Sequence, residues 1–187
     1  MARRPHLLGI DDGPFQKHAS RRAPVVGVMM EGADLVEAVA VTEFPVDGED
    51  ASAFLAAWIA GLRFRPALQG ILLGGITIAG LGVVDADWLA ARLALPVVVV
   101  NRRRPSNARL RAALEAAGLA HRFALVERAP APFRVERGLY AAAAGIEAAA
   151  AAGWVRAARR KSGLPEPLRL AHLVARALAT GESRGRA

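Results

Sequence analysis

The chain has 187 residues, of which 53% are hydrophobic and 22% are charged. This length fits one ordinary domain, and this composition excludes a chain that is disordered throughout. The sequence holds no cysteine, which excludes disulfide bonds, thiolate zinc sites and cysteine nucleophiles. No apolar run reaches the ~18 to 20 residues that a bilayer span requires, so we expect a cytoplasmic protein that binds no membrane.

The formal net charge of +8 is distributed unevenly along the chain. Residues 1–100 hold 8 Lys and Arg against 11 Asp and Glu, whereas residues 101–187 hold 17 against 6. A basic half attached to an acidic half favours a surface that attracts phosphate beside a site for a divalent cation. Because nearly all the basic residues are arginines, the alternative is that the charge reflects genome composition alone.

The first predicted elements are mostly strands. Residues 6–11 (HLLGID) form a short apolar run that ends in a carboxylate, which predicts a buried strand. Two β-rich runs, 24–30 and 35–44, predict an antiparallel hairpin. Apolar residues at helical spacing predict a helix over 51–62, and the apolar run 68–73 predicts another buried strand.

The rest of the chain predicts helices and strands in alternation. The predicted helices cover residues 85–93, 107–117, 141–160 and 168–179. The predicted strands cover residues 96–100 and 122–127. The long helix over 141–160 is predicted from its alanine content, since alanine has the highest helix propensity. We predict a single domain over residues 1–187, with a flexible tail at 180–187.

This order of elements indicates an α/β fold on a mixed sheet, with three initial antiparallel strands, then alternating helix and strand, flanked by helices. The arrangement is similar to that of ribonuclease H-like nucleases. A doubly wound fold is the rival interpretation. It is disfavoured because the runs 24–30 and 35–44 follow each other with no helix between them.

Carboxylates follow the first predicted strand and precede the first predicted helix. Neighbouring residues of an extended chain point to opposite faces, so only one of Asp11 and Asp12 faces a shared site, and we choose Asp11. Mg²⁺ and Mn²⁺ prefer hard oxygen ligands, commonly one or two carboxylates. Asp50, with its neighbours Asp47 and Glu49, is the candidate second ligand. The alternative is that Asp50 caps the helix and its neighbours are solvated loop residues.

Arginines follow the valine-rich strand of the second half. Arg102, Arg103 and Arg104 lie beyond a strand end, where sites of α/β proteins commonly lie, and are candidates to clamp phosphate. A second basic cluster ends at Lys161 and either follows a nucleic-acid backbone or forms a solvated helix face. The histidines show no metal-ligand spacing, and we expect His172, which lies among leucines, to be packed or to cap a helix.

Several motifs occur in order along nearly the whole chain: LLGIDDGPF, VDGEDAS, ILLGGIT followed by VVD, LPVVVVNRR, and LPEPLRLAHLVARAL with GESRGRA. Together they resemble the endonuclease dU family, which is similar to endonuclease V. Endonuclease V has a ribonuclease H-like fold and uses metal-bound carboxylates to cut nucleic acid next to deaminated bases. The resemblance implies a Mg²⁺- or Mn²⁺-dependent endonuclease that acts on nucleic acid, DNA rather than RNA, at deaminated bases such as deoxyuridine.

The resemblance also implies roles for single residues. Asp11 corresponds to the carboxylate at the end of the first strand, Asp50 is placed like the glutamate before the first helix, and Asp12 is a further candidate ligand. Gly74 stands where the family pattern L-D-G-I-T has a metal-binding aspartate. Gly145 stands near the position where endonuclease V supplies a histidine or aspartate. The alternatives are therefore a catalytically degenerate protein that only binds nucleic acid, or a domain that binds another chain.

Overall fold

The structure is a computed structural model that describes residues 4–16 and 21–184. Its strands are β1 (His6–Asp12), β2 (Arg22–Glu31), β3 (Leu35–Pro45), β4 (Gly70–Leu73), β5 (Thr77–Ile78), β6 (Gly82–Val83), β7 (Val97–Asn101), β8 (Phe133–Glu136) and β9 (Leu139–Ala144). Its α-helices are α1 (Ala51–Ala60), α2 (Ala86–Leu93), α3 (Asn107–Ala116), α4 (Phe123–Glu127), α5 (Ala148–Ala157) and α6 (Glu166–Thr180). None of these helices is long and apolar enough to cross a membrane.

Seven of the strands form one mixed sheet in the order β3-β2-β1-β4-β7-β9-β8. The first three strands pair antiparallel, as the sequence predicts, whereas β1 pairs parallel with β4 and β4 pairs parallel with β7. The remaining pairs, β7 with β9 and β8 with β9, are antiparallel. Because β1, β4 and β7 run in the same direction, their carboxyl ends meet at one edge of the sheet.

The central strands are buried on both faces. Leu7, Leu8 and Ile10 of β1 are at most 1% exposed, and the four valines of β7 are at most 4% exposed. The helices α1 and α2 cover one face of the sheet, and α5 and α6 cover the other. Burial on both faces explains why these strands are nearly continuous apolar runs without the alternation of a half-exposed strand.

The helix α6 packs against β1 at backbone distance. A Cβ atom added at Gly9 would overlap the carbonyl carbon of Pro167, and one added at Gly13 would overlap the carbonyl oxygen of Ala175. On the helix, Ala171 and Ala175 face the sheet and are fully buried. Because glycine and alanine present so little side chain, the helix lies directly on the end of β1.

The predicted strand over residues 122–127 is wrong, because this segment is helical. Residues Ala120–Arg122 form a 3-10 turn, which α4 continues. Phe123 and Val126 are three positions apart and pack in one cluster with Leu114 of α3. A spacing of three residues brings side chains together on a helix, whereas in a strand it would send them to opposite faces.

The predicted helix over residues 141–160 is also wrong in its first part. These residues begin in β9, and α5 starts only at Ala148. Ala141 and Ala144 of β9 are 0% and 2% exposed, because β9 pairs with β7 in the interior of the sheet. The helix preference of alanine amounts to a few tenths of a kcal/mol per residue, and strand pairing with burial outweighs it.

The other predicted helices and strands agree with the structure to within two residues at each end. At the carboxyl end, α6 finishes at Thr180, and Gly181 follows in the left-handed conformation at φ 81°. Residues 185–187 lie outside the described part of the chain. The predicted flexibility of the tail at 180–187 therefore stays a prediction.

We expect Gly9→Ala to lower the free energy of unfolding by about 1 to 3 kcal/mol, because the added methyl group would separate α6 from β1. Thermal or urea unfolding measures the change. The matched control is Gly153→Ala in α5, where an added Cβ meets no atom within 4 Å. That variant should gain about 0.5 to 1 kcal/mol, since alanine is the better helix former. Equal stability of the two variants would contradict the close approach of α6 and β1.

Candidate functional site

A histidine from α6 meets an aspartate from β1 at the edge where the parallel strands end. Nδ1 of His172 lies 3.1 Å from Oδ2 of Asp11 and donates a hydrogen bond to it. The Asp11 side chain is 19% exposed and that of His172 is 51% exposed, so the pair is accessible to solvent. The hydrogen bond to Asp11 raises the pKa of His172 above its usual value of 6.5, although burial opposes the shift.

The expectation that His172 is packed or caps a helix is wrong. Its side chain is half exposed and its partner, Asp11, lies 161 positions earlier in the chain. The sequence did contain a signal for a functional role of His172, since the motif LPEPLRLAH ends at this histidine. Gly145, which the resemblance places near a ligand position of endonuclease V, follows Ala144, and Ala144 pairs with the first residue of β7 at the opposite edge of the sheet.

Asp12 turns away from the pair and bonds to a neighbouring loop. Its Oδ2 accepts a hydrogen bond of 3.0 Å from the backbone N–H of Ala79, between β5 and β6. Its own backbone N–H donates to Oδ1 of Asp11 at 3.0 Å. Burial, and then the negative charge of Asp11, raise the pKa of Asp12 from 3.8 to about 6. The two adjacent carboxylates therefore differ in their environments.

Gly74, at the end of β4, lies beside Asp11. A Cβ atom added at Gly74 would lie 3.1 Å from Oδ1 of Asp11, so a longer side chain at this position would begin against that carboxylate. The structure thus places Gly74 where a second acidic side chain would share the site with Asp11. In this chain the position contributes no side chain.

The acidic loop before α1 makes its contacts elsewhere. Oδ1 of Asp47 accepts a hydrogen bond of 2.8 Å from the backbone N–H of Leu81. Asp50 occupies the N-cap position of α1 with a left-handed φ of 54°, but its side chain makes no capping hydrogen bond. Asp50 lines a cleft with His121 and Arg122. Within residues 4–16 and 21–184, no group of three or more His, Asp or Glu side chains is placed to hold a metal ion.

The predicted basic residues fall into separate places. Arg102 lines a cavity of about 540 Å³ together with His172 and Arg176, and we call this the arginine cavity. Lys161 lines a different cavity, of about 560 Å³, beside Asp34. The remaining two predicted arginines, which follow Arg102 in the loop after β7, are exposed: Arg103 and Arg104. Of the predicted phosphate-binding residues, Arg102 is thus the one that shares a cavity with His172.

We expect Asp12→Asn to stabilise the protein more at about pH 8 than at about pH 4. The folded pKa of about 6 lies above the ordinary 3.8, so the carboxyl group favours the folded state fully below pH 3.8 and loses this contribution as the pH rises through 6. Asparagine carries no charge, so the gain at pH 8 should be about 1 to 3 kcal/mol and much smaller at pH 4.

Urea denaturation with a metal chelator present measures this difference between the two pH values. Asp87→Asn removes an exposed carboxylate from the first turn of α2 and controls for the loss of one negative charge. An Asp12→Asn variant with the same stability change at both pH values would contradict the raised pKa.

Solved structures resemble this fold. A crystal structure of a protein of unknown function from Archaeoglobus fulgidus matches 93% of this chain and 98% of its own with a TM-score of 0.85 and 34% identity. Endonuclease V of Ciona intestinalis, in complex with a 24mer DNA containing an inosine followed by a ribo-adenosine, matches with a TM-score of 0.57 and 15% identity, over 91% and 84% of the chains. This likeness confirms the ribonuclease H-like fold.

Sequence comparison gives the family. A UPF0215 protein of Methanothermobacter thermautotrophicus is 39% identical over 190 residues, which cover 97% of this chain and 91% of the relative. The family model described as Endonuclease dU matches residues 3–179. The motifs of the sequence, the order of the strands and this match agree, and the chain belongs to the Endonuclease dU family.

Proposed function

We propose that the protein is a metal-dependent endonuclease that cuts nucleic acid at the edge of the sheet where β1, β4 and β7 end. The observation that carries this proposal is the solvent-accessible pair of Asp11 and His172 at that edge. Membership of the Endonuclease dU family and the fold shared with Endonuclease V support phosphodiester cleavage as the reaction.

The donor atoms present fit one divalent cation. Mg²⁺ commonly takes one or two carboxylates and completes its coordination with water and substrate phosphate. Each oxygen of Asp11 has one hydrogen-bond partner, and a carboxylate oxygen has a further lone pair. Asp11 would therefore hold Mg²⁺ or Mn²⁺ at the site, and Asp12 would act as a second ligand only by giving up its hydrogen bond to the N–H of Ala79. Two ions would require a further carboxylate on β4, where Gly74 stands.

The bound ion would supply Lewis-acid stabilisation of the charge that develops on the phosphoryl oxygens. The protein's own side chains then position the substrate and move a proton. His172 is anchored to Asp11 through Nδ1, which leaves Nε2 as the ring atom that can exchange a proton with a substrate oxygen. Arg102, in the adjoining arginine cavity, would neutralise phosphate charge.

We further propose that the substrate is DNA with a deaminated base such as deoxyuridine, and that the protein serves DNA repair in the cytoplasm; the name of the family supports the choice of base. Cleavage next to such a base would require the base to leave the stack and enter a pocket. The segment 76–82 borders the site, since the N–H of Ala79 bonds to Asp12 and the N–H of Leu81 bonds to Asp47. We propose that this segment forms part of the pocket wall.

A second candidate function is binding of nucleic acid without cleavage. The specific observation in its favour is Gly74, which provides no acidic side chain at the position next to Asp11. The position of Asp50 also favours this alternative, because Asp50 lines a different cleft, with His121 and Arg122, and so supplies no second ligand beside Asp11. Under this alternative the wild type binds nucleic acid in a salt-dependent manner but leaves it uncut.

Cleavage of labelled oligonucleotides containing uracil, hypoxanthine or only normal bases, with Mg²⁺ or Mn²⁺, tests the proposal. We expect metal-dependent cutting by the wild type and a loss of ~100-fold or more in Asp11→Asn, because the charge that holds the cation is removed. Asp87→Asn, on the surface of α2, is the matched control and should cut like the wild type. Undiminished cutting by Asp11→Asn would refute the assigned site.

The same assay on Gly74→Asp separates the two candidate functions. The Cβ atom of the new side chain would lie 3.1 Å from Oδ1 of Asp11, and its carboxylate would add a ligand next to the end of β4. If the wild type binds but does not cut, and Gly74→Asp cuts, the protein is a degenerate member of its family that works by binding. If the wild type already cuts, the site works without an acidic side chain from β4, and we expect Gly74→Asp to lower the metal concentration needed for half-maximal activity.

A further inference from the structure

The arginine cavity adjoins the Asp11 and His172 pair and is lined by three separate segments of the chain. Arg102 comes from the loop after β7, Arg176 from α6, and Arg184 from the tail that follows α6. His172 forms part of the wall, so the cavity and the candidate site share this side chain. Arginines from three segments thus line one cavity beside the pair.

The side chains that line the cavity carry a net positive charge, even after the ion pair of Arg169 with Glu166 is discounted. Arg169 also lines it, but its guanidinium is held by the buried Glu166 at 2.6 Å. Within residues 4–16 and 21–184, no ion pair to a carboxylate is formed by Arg102, Arg176 or Arg184. Glu182 is the one carboxylate among the residues that line the cavity. The cavity therefore attracts an anion.

A buried hydroxyl group in the same cavity lacks a partner. Oγ of Ser183 is buried and makes no hydrogen bond within the described part of the chain. The left-handed turn at Gly181, with φ 81°, reverses the chain after α6 and brings Ser183 back to the cavity wall. A buried hydroxyl without a protein partner costs stability unless a ligand or a water accepts its hydrogen bond, so this hydroxyl is available to a ligand in the cavity.

We propose that the arginine cavity is a subsite for a phosphate of the nucleic-acid strand, bound by Arg102, Arg176 and the hydroxyl of Ser183. Arginine pairs with phosphate through two hydrogen bonds, and serine hydroxyls commonly donate to phosphate oxygens. This inference rests on the proposed function, because a nucleic-acid strand bound for cleavage has further phosphates on either side of the one at Asp11 and His172.

The spacing of His172 and Arg176 along α6 indicates which phosphate of the nucleic-acid strand this subsite would bind. His172 and Arg176 are four residues apart on α6, which places them one above the other and about 6 Å apart along the helix axis. This separation is on the scale of a single nucleotide step. A phosphate in the cavity would thus neighbour the one that is cut, and its contacts would fix the register of the nucleic-acid strand without reading its sequence.

Salt-dependent binding of a labelled single-stranded DNA oligonucleotide, measured by fluorescence anisotropy with EDTA present, tests the subsite. Arg102→Gln and Arg176→Gln should each reduce the slope of log K against log salt by about 0.7 and weaken binding roughly fivefold to tenfold at low salt. Ser183→Ala should weaken binding roughly threefold without changing the slope, because it removes a hydrogen bond and no charge.

The matched control is Arg92→Gln, an exposed arginine in the last turn of α2 that lines a different cavity. It loses the same charge and should keep the wild-type slope and affinity. Wild-type slopes in both Arg102→Gln and Arg176→Gln would overturn the subsite, while cleavage at Asp11 and His172 would remain as proposed. Arg102 is exposed in a loop, so its variant keeps the test valid if Arg176→Gln unfolds.

Two further outcomes concern the ligand itself. A wild type that binds no oligonucleotide at low salt would overturn the proposed function, and the subsite with it. Titration with inorganic phosphate alone distinguishes a strand from a free anion. Tight binding of inorganic phosphate that does not compete with the oligonucleotide would overturn the assignment to a strand, whereas competition that is lost in Arg176→Gln would support it.

Discussion

The close contact between α6 and β1 is the constraint on which the site depends. Gly9 in β1 and Gly13 directly after it have no side chain, and on the facing side of the helix Ala171 and Ala175 have small ones. The helix then lies with its backbone against the end of β1. His172 follows Ala171 directly, so the same contact that buries the alanine presents the histidine at the edge of the sheet.

The same contact also explains the arginine cavity. Residues four apart on a helix share a face, so the histidine at the strand end is followed, one turn later, by Arg176. The chain then turns back at Gly181 and brings the tail to the same wall. Packing between one strand and one helix therefore positions both the Asp11 and His172 pair and the arginines beside it.

Much of the fold was predictable because its central strands carry strong local signals. The apolar runs 6–11 and 96–100 are buried on both faces. The predicted hairpin of 24–30 and 35–44, followed by alternating helices and strands, indicated the mixed sheet that the structure has. The alanine-rich run beginning at 141 failed because its structure is decided by pairing with β7, a neighbour that is remote in sequence. The segment 122–127 failed because a short apolar run looks the same in a strand and in a helix.

The site was predictable only in part, and for a related reason. Asp11 was a candidate because a carboxylate at the end of a buried strand is visible in the sequence itself, and the structure places it beside His172. His172 was not, because nothing near it in the sequence reveals an acidic partner. Asp50 was chosen for its position before a helix, yet its loop faces His121 and Arg122. Spacing along the chain does not show which strand end a loop reaches.

The hydrogen bond between Asp11 and His172 joins residues 161 positions apart. Such a contact closes a very long loop, and its entropic cost must be met by packing that forms along the intervening sheet. During translation, the acidic partner leaves the ribosome long before its histidine is made. A growing chain therefore has no assembled site, so any capacity to attack nucleic acid arises only after both the first strand and the last helix have been synthesised and have docked.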